Sequence, residues 1–99
     1  MNSVQSREEF DNLCKYEKKI FFKFTASWCN PCKIIQPTLE QLSKDHMICT
    51  IDIDEMSDVA DDLGISSVPT VVLFKNGICE KNRCTGSNIQ NLLNFFSEH

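Results

Sequence analysis

The sequence has no long hydrophobic run and no cluster of basic residues. A membrane-spanning helix needs about 18 or more apolar residues, and no segment of this 99-residue chain approaches that length. The first residues, MNSVQSREEF, lack the basic and then apolar pattern of a secretory signal. Basic residues occur only in pairs such as Lys18-Lys19, and the net charge is -4, which argues against a nucleic-acid-binding surface. We therefore expect a soluble cytoplasmic protein that binds neither membranes nor nucleic acids.

The chain is also too short for a second domain. Its 99 residues are 41% hydrophobic and include seven phenylalanines, which is enough apolar material for one core. No internal repeat, linker or low-complexity tract is present. Residues 1–99 are therefore predicted to form a single domain, and we expect a monomer.

The six cysteines do not have the pattern of a small disulfide scaffold. Such scaffolds are rich in loops and poor in core residues, whereas several segments here have apolar periodicity, which favours a reducing compartment. Cys14 and Cys49 are expected to be ordinary buried residues of a helix and a strand. Cys79 and Cys84, five apart on one predicted strand, should lie on opposite faces. If one of these two is exposed, it would be open to oxidation or glutathionylation.

The hydrophobic pattern alternates between helices and strands. Ser6 and Glu9 form a capping box at the start of a helix, and the aromatic run KIFFKFTA predicts a buried strand. The predicted elements are a short strand near 3–5, a helix over 7–18, a strand over 19–26, a helix from Cys32 to about 44, a strand over 47–54, a helix opened by Ser57-Asp58 and ended by Gly64, strands over 70–75 and from 78, and a helix capped by Ser87.

This order, βαβαβαββα, predicts an α/β fold. Helices that alternate with strands imply parallel strand pairs with right-handed crossovers. Asn76-Gly77 is a strong signal for a two-residue hairpin turn, so the last strand should add an antiparallel edge. Pro37 is expected to kink the second helix, because its ring removes one backbone hydrogen bond.

The segment ASWCNPCK places two cysteines two residues apart, between a buried strand and a helix. Unpaired N–H groups at a helix start stabilise a thiolate, and the thiolate is the reactive form of cysteine. We therefore expect Cys29 to be an exposed nucleophile and Cys32, about one turn further, to be the resolving thiol. Pro31 pre-sets the helical φ of the first turn. Trp28 can shield the pair and offer a partner a flat apolar surface.

Five features of the chain, in order and spacing, resemble the thioredoxin family. They are Trp28-Cys29-Asn30-Pro31-Cys32-Lys33, Pro37, Val68-Pro69-Thr70, Leu73–Gly77 and Gly86. The resemblance spans the chain and implies a thioredoxin-like three-layer α/β/α fold with a central mixed sheet. It also implies a protein-disulfide reductase and electron carrier, with a cis bond between Val68 and Pro69. Substrate contacts would come from Trp28, Asn30, Pro31, Val68, Pro69 and Gly86.

The resemblance implies the partners of the protein as well. Cys29 would attack a disulfide of a partner protein, and Cys32 would then release that partner in reduced form. Family members are returned to the dithiol by a flavin-dependent thioredoxin reductase that uses NADPH, or by a ferredoxin-linked one. The flavin belongs to the reductase, so no cofactor and no metal are expected in this chain.

Two positions depart from the family pattern. Asn30 stands where the family usually has glycine, and residues between the cysteines tune the relative stability of dithiol and disulfide. Lys23 stands at the spacing of a buried aspartate that is thought to help take the proton from the resolving thiol. Lys23 could extend its amine to solvent, or point under the cysteines and pair with Asp52 or Asp54. In the second case it would stabilise a thiolate as a cation or, if burial removes its charge, act as a base.

Three other functions are compatible with a Cys-x-x-Cys pair. A zinc module would need two further ligands from Cys79, Cys84 or a histidine, although the chain has no second Cys-x-x-Cys or Cys-x-x-His. A disulfide oxidant or isomerase of secretory compartments would normally carry a targeting signal. A glutathione-dependent protein of the glutaredoxin type fits the tryptophan and the Asn-Pro dipeptide poorly.

Overall fold

Four helices pack around a central sheet in the computed structural model, which describes residues 1–99. The elements in chain order are β1 (Asn2–Ser3), α1 (Arg7–Tyr16), β2 (Lys19–Thr25), α2 (Asn30–Leu42), β3 (Ile48–Asp52), α3 (Ser57–Asp62), β4 (Thr70–Lys75), β5 (Ile78–Cys79), β6 (Cys84–Thr85) and α4 (Ile89–Glu98). The predicted α/β class is confirmed. None of the helices has the length and apolarity that a bilayer crossing requires.

Side-chain caps fix the starts of α1 and α4. The Ser6 hydroxyl accepts a hydrogen bond from the backbone N–H of Glu9 at 3.1 Å, as the capping-box pattern predicts. Ser87, the residue predicted to cap α4, lies one position too early. The cap is Asn88, whose side-chain oxygen accepts from the backbone N–H of Asn91 at 2.9 Å. Serine and asparagine are equally good caps, so the sequence alone does not choose between adjacent ones.

The sheet has the order β1-β3-β2-β4-β5 and contains both strand directions. β1 and β2 each pair with β3 in parallel, whereas β4 is antiparallel to β2 and places Thr70 opposite Phe24. The expected parallel pairing is therefore wrong for β4. The six residues of α3 rise only about 9 Å, too little to carry the chain back along the sheet, so β4 starts at the edge where β2 and β3 end.

The predicted hairpin turn after β4 is confirmed. Asn76 and Gly77 have φ values of 52 and 81, as a type I′ turn requires. The strand that follows, however, is not continuous, because it breaks into β5 and β6.

An irregular segment, residues 80–83, causes this break. Cys79 pairs with Phe74 and Cys84 with Val71, so residues 80–83 stand opposite only residues 72–73. The two extra residues form a bulge. An even number of extra residues keeps the alternation of faces.

Two apolar clusters cover the two faces of the sheet. On the face of α1 and α3, Phe10 packs against Phe22 and Phe74, with ring centroids 5.0 and 5.8 Å apart. On the face of α2 and α4, Phe21 stacks on Phe96 with centroids 4.2 Å apart. Because successive side chains of a strand alternate, β2 contributes to both clusters and sends its next residue on the second face, Lys23, beneath α2.

Candidate active site

The two cysteines of ASWCNPCK lie where β2 ends and α2 begins. Cys29 is the N-cap of α2, and its Sγ accepts a hydrogen bond from the backbone N–H of Cys32 at 3.1 Å. The two sulfurs form a disulfide, with their Cα atoms 5.4 Å apart. The predicted placement of Cys29 at the helix start is confirmed. In the reduced state, the same N–H and the positive end of the helix would stabilise a Cys29 thiolate.

Neither sulfur is exposed in the disulfide. Cys29 is 3% and Cys32 is 2% exposed, and both belong to a small cluster with Ala26 against which Ile53 and Val68 pack. The prediction of an exposed Cys29 is therefore wrong for the oxidised state. Ile53 and Val68, from two other chain segments, pack against the pair, so Cys29 is as buried as Cys32.

Trp28 stands beside the pair as a largely exposed side chain. It is 65% exposed, and its indole N–H donates to an Asp54 carboxylate oxygen at 2.9 Å. The hydrogen bond holds the polar edge of the ring and leaves apolar surface open to solvent. An anchored aromatic ring next to a disulfide is suited to contact a partner protein.

The segment around the predicted cis bond meets the pair from a second side. The bond between Val68 and Pro69 is cis, as the family resemblance predicts. Val68 packs against the cysteine cluster, and Pro69 is buried. The Gly86 N–H donates to the Pro69 carbonyl at 2.9 Å, from a φ of 97 that favours glycine. Val68 thus contacts the pair directly, and Gly86 joins this region through Pro69.

The two residues between the cysteines form the exposed first turn of α2. Asn30 and Pro31 are both exposed, and Pro31 occupies the first turn as predicted. The structure therefore places the predicted contact residues on three chain segments around one disulfide.

Lys23 is buried beneath the pair. It is 3% exposed, and its Nζ donates to the Cys32 carbonyl oxygen at 3.1 Å and to Gln36 Oε1 at 2.6 Å. An amine that extends to solvent is therefore the wrong interpretation, because strand alternation points this side chain under α2. The alternative that Lys23 points under the cysteines is confirmed.

The predicted ion pair of Lys23 with Asp52 or Asp54 is wrong. Every ion pair of the structure involves Arg7. Asp52 Oδ1 instead accepts from the backbone N–H groups of Asp54 and Glu55 at 2.8 and 3.3 Å. The side chain of Asp54 is bound to the tryptophan. Both carboxylates thus accept hydrogen bonds from groups other than the Lys23 amine.

A cavity connects the lysine with the cysteines. Burial lowers the pKa of Lys23, because desolvation penalises the ammonium form, and Glu40 has a smaller opposing effect. Gln36 is absent from the residues predicted above, and the signal for it is its position one helical turn after Cys32 on the same face. The cavity has a volume of about 230 Å³ and is lined by Lys23, Thr25, Ala26, Ser27, Cys29, Cys32, Lys33, Gln36 and Asp52.

The other four cysteines are free thiols. Cys49 and Cys84 are buried, whereas Cys14 and Cys79 are half-buried. Burial raises the pKa of all four thiols, that of Cys14 to about 11. Cys79 packs against the cluster of the α1 face and Cys84 lies in that of the α2 face, so their predicted placement on opposite faces is confirmed.

The ligands of the alternative zinc site do not converge. Cys79 and Cys84 lie on opposite faces of the sheet. Nowhere in the structure are three or more His, Cys, Asp or Glu side chains grouped so that they could hold a metal ion. The residues present therefore do not fit a four-ligand zinc module.

Comparison with known proteins agrees with this site. The family model described as Thioredoxin matches residues 2–98. The chain is 38% identical to Thioredoxin-1 of Saccharomyces cerevisiae over 80 residues, which is 78% of each protein. It is 30% identical to mitochondrial Thioredoxin-2 of Schizosaccharomyces pombe, covering 100% of this chain and 76% of the relative. The structure of Plasmodium falciparum thioredoxin matches with a TM-score of 0.95 at 31% identity, covering 100% of this chain and 99% of that one. The chain therefore belongs to the thioredoxin family, whose members are protein-disulfide oxidoreductases.

Proposed function

We propose that this protein reduces disulfide bonds of partner proteins by dithiol–disulfide exchange, with Cys29 as nucleophile and Cys32 as resolving thiol. The observation that carries the proposal is the disulfide at the start of α2, where a backbone N–H points at the Cys29 sulfur at 3.1 Å. Once the bond is reduced, this N–H and the helix terminus favour a thiolate at Cys29. None of the four free cysteines occupies such a position.

The exchange takes two steps. The Cys29 thiolate attacks one sulfur of the partner's disulfide, so that a mixed disulfide forms and the other partner sulfur leaves as a thiolate. Cys32 then loses its proton and attacks the Cys29 sulfur, which forms the intramolecular disulfide and releases the second partner sulfur. The partner gains two electrons, and its two thiolates take protons from solvent. The Cα separation of 5.4 Å is within the normal range for a disulfide.

Partner proteins dock on the apolar surface around the pair. Trp28 and half-buried Val68 supply its apolar area, and buried Pro69 supports it together with Gly86, whose N–H donates to the Pro69 carbonyl. Asn30 and Pro31 are exposed on the turn between the cysteines and would meet the partner first. Such a small surface suits brief contacts with many disulfide-containing proteins.

A thioredoxin reductase returns the oxidised protein to the dithiol. This partner follows from the family, and it brings the flavin that the exchange chemistry of this chain does not need. The cytoplasmic location and the monomeric state remain predictions of the sequence, and the relative from Schizosaccharomyces pombe is named as a mitochondrial protein.

The reduction of insulin disulfides tests this proposal. The reduced protein is regenerated in one reaction by NADPH and a thioredoxin reductase, and in a parallel reaction by glutathione and glutathione reductase. We expect fast turnover in the first reaction only, and background rates for Cys29→Ser and Cys32→Ser in both. Faster turnover with glutathione would instead identify a protein of the glutaredoxin type.

A further inference from the structure

Lys23 is a buried amine whose two hydrogen-bond partners are both neutral. Its Nζ lies 3.1 Å from the Cys32 carbonyl oxygen and 2.6 Å from Gln36 Oε1. An ammonium group has three N–H donors, whereas a neutral amine has two N–H groups and one lone pair. A neutral amine can make both of these hydrogen bonds and still keep its lone pair free.

The charged groups around Lys23 do not hold it as an ammonium. On α2, the Glu40 carboxylate reaches it only through Gln36, whose Nε2 donates to Glu40 at 3.3 Å. On β3, Asp52 lines the same cavity, but its Oδ1 accepts from two backbone N–H groups. Lys33 also lines the cavity and would oppose a second positive charge.

The neighbouring strands add no counter-charge, and at the resolving step Cys29 carries none because it is bonded to the partner. In the sheet, Lys23 lies between Thr50 of β3 and Val71 of β4, neither of which titrates. Cys29 and Cys32 are the remaining titratable groups of the cavity once the disulfide is reduced. Desolvation dominates in this setting and lowers the pKa of Lys23.

The cavity gives the amine access to the resolving thiol. It has a volume of about 230 Å³ and is lined by Lys23, Gln36 and both cysteines. This volume is several times the roughly 30 Å³ that one water molecule occupies in the liquid. The amine and both cysteines thus line one cavity that is large enough for solvent to carry a proton.

We propose that Lys23 is the base of the resolving step, that it acts as a neutral amine, and that Gln36 is the residue that positions it. As Cys32 attacks the mixed disulfide, its proton passes through the cavity to Lys23 Nζ. The bond between Cys29 and the partner breaks, the bond between Cys29 and Cys32 forms, and the electron pair of the broken bond leaves with the partner's sulfur. The ammonium group then releases its proton to solvent. This inference rests on the exchange mechanism proposed above.

A single stopped-flow experiment separates the two steps. The reduced protein is mixed with dithiobis-nitrobenzoate, an aromatic disulfide that releases one coloured thiolate when Cys29 attacks and a second when Cys32 resolves the mixed disulfide. The trace of the double variant Cys29→Ser/Cys32→Ser gives the contribution of the four other thiols. We expect Lys23→Met to slow the second phase about 100-fold, in the range of general base catalysis, and to leave the first phase nearly unchanged.

Gln36→Glu is the second variant, because it places a negative charge beside Lys23 Nζ with little change in the shape of the side chain. A carboxylate in contact with Lys23 stabilises the ammonium form, so the second phase should slow at neutral pH and recover as the pH rises. Gln41→Glu on the exposed side of the same helix adds an equal charge away from Lys23 and should have no effect. If Gln36 served folding alone, Gln36→Glu would not change how the rate of the second phase depends on pH.

The protonation state of Lys23 can also be observed directly. NMR spectra of the oxidised protein, labelled with ¹³C and ¹⁵N, should show the Lys23 side chain losing its proton below the ordinary lysine pKa of about 10.4. An ammonium signal from Lys23 at the pH of the kinetic assay would overturn the proposal, as would equal slowing of both phases in Lys23→Met. In either case the reduction of insulin by the wild type and its loss in Cys29→Ser would still support the exchange mechanism.

Discussion

Two regions of the molecule place a cysteine at the end of a helix, one at the start of α2 and the other in the last turn of α1. Only the first region is arranged for redox chemistry. Cys29 lies at the start of α2, where the N–H of Cys32 points at its sulfur. Cys14 lies in the last turn of α1, near Cys79, where burial, Asp11 and Cys79 together raise its pKa to about 11. The positive end of a helix, at its start, stabilises an anion, whereas the negative end, at its last turn, destabilises one. The backbone around a cysteine, rather than the cysteine itself, thus determines whether it is reactive.

Removing one cysteine from each region is the strongest test of this comparison, because the two variants should differ most in activity. Cys29→Ser should reduce insulin turnover to the background rate, because a hydroxyl cannot form the mixed disulfide. Cys14→Ser should keep the wild-type rate, since its sulfur takes no part in the exchange. Both rates are measured as NADPH consumption with a thioredoxin reductase. A large loss of activity in Cys14→Ser would show that Cys14 also takes part in the exchange, against this comparison.

Exposed aromatic side chains provide a second comparison between the regions. Trp28 beside the pair is 65% exposed, and Tyr16 at the end of α1 is 72% exposed. Trp28→Ala should lower kcat/KM for a protein disulfide about ten-fold, the loss expected of an aromatic contact worth about 1.4 kcal/mol. Tyr16→Ala should leave it unchanged. Equal effects of the two substitutions on kcat/KM would argue against docking at Trp28.

The environment of Lys23 makes a smaller prediction about stability. Its pKa is lowered on folding, chiefly by desolvation, from an unfolded value of about 10.4. Between the two values the unfolded chain binds more protons, so the stability of the wild type rises with pH across that window. Below the folded pKa, burial of the amine therefore costs stability, and the cost disappears as the pH approaches 10.4. The free energy of unfolding of oxidised Lys23→Met, minus that of the wild type, should fall as the pH rises.

Chemical denaturation at a series of pH values measures this difference. The other thiols titrate equally in both proteins, so their contributions cancel. Gln41→Met provides the control, because Gln41 is exposed on α2 and its substitution removes no titratable group, so its difference should not change with pH. A pH-independent difference for Lys23→Met would mean that burial does not shift the pKa of Lys23.

Local sequence signals were sufficient for the elements that carry the cysteines. The aromatic run of β2 and the Pro31 turn place the pair at a helix start, and both are visible within a few residues of Cys29. Asn76-Gly77 likewise specifies its own turn. The cis bond before Pro69 came from the family resemblance, not from periodicity.

The features that could not be predicted depend on contacts between distant segments. The direction of β4 follows from the shortness of α3, and the bulge at 80–83 from how the last strand meets β4. The partner of Lys23 is Gln36, because the packing of α2 on β2 brings an amide rather than a carboxylate to the amine. The burial of Cys29 comes from the packing of Ile53 and Val68, which lie on other segments of the chain.

Competitive alkylation of the fully reduced protein tests the central claim most directly. The protein is treated at neutral pH with less than one equivalent of iodoacetamide, and the labelled cysteine is identified by mass spectrometry of its peptides. We predict that the label accumulates on Cys29 before any other thiol, and that prior oxidation of the Cys29–Cys32 pair prevents this labelling. Label spread evenly over Cys29, Cys14 and Cys79 would contradict a thiolate stabilised at the start of α2.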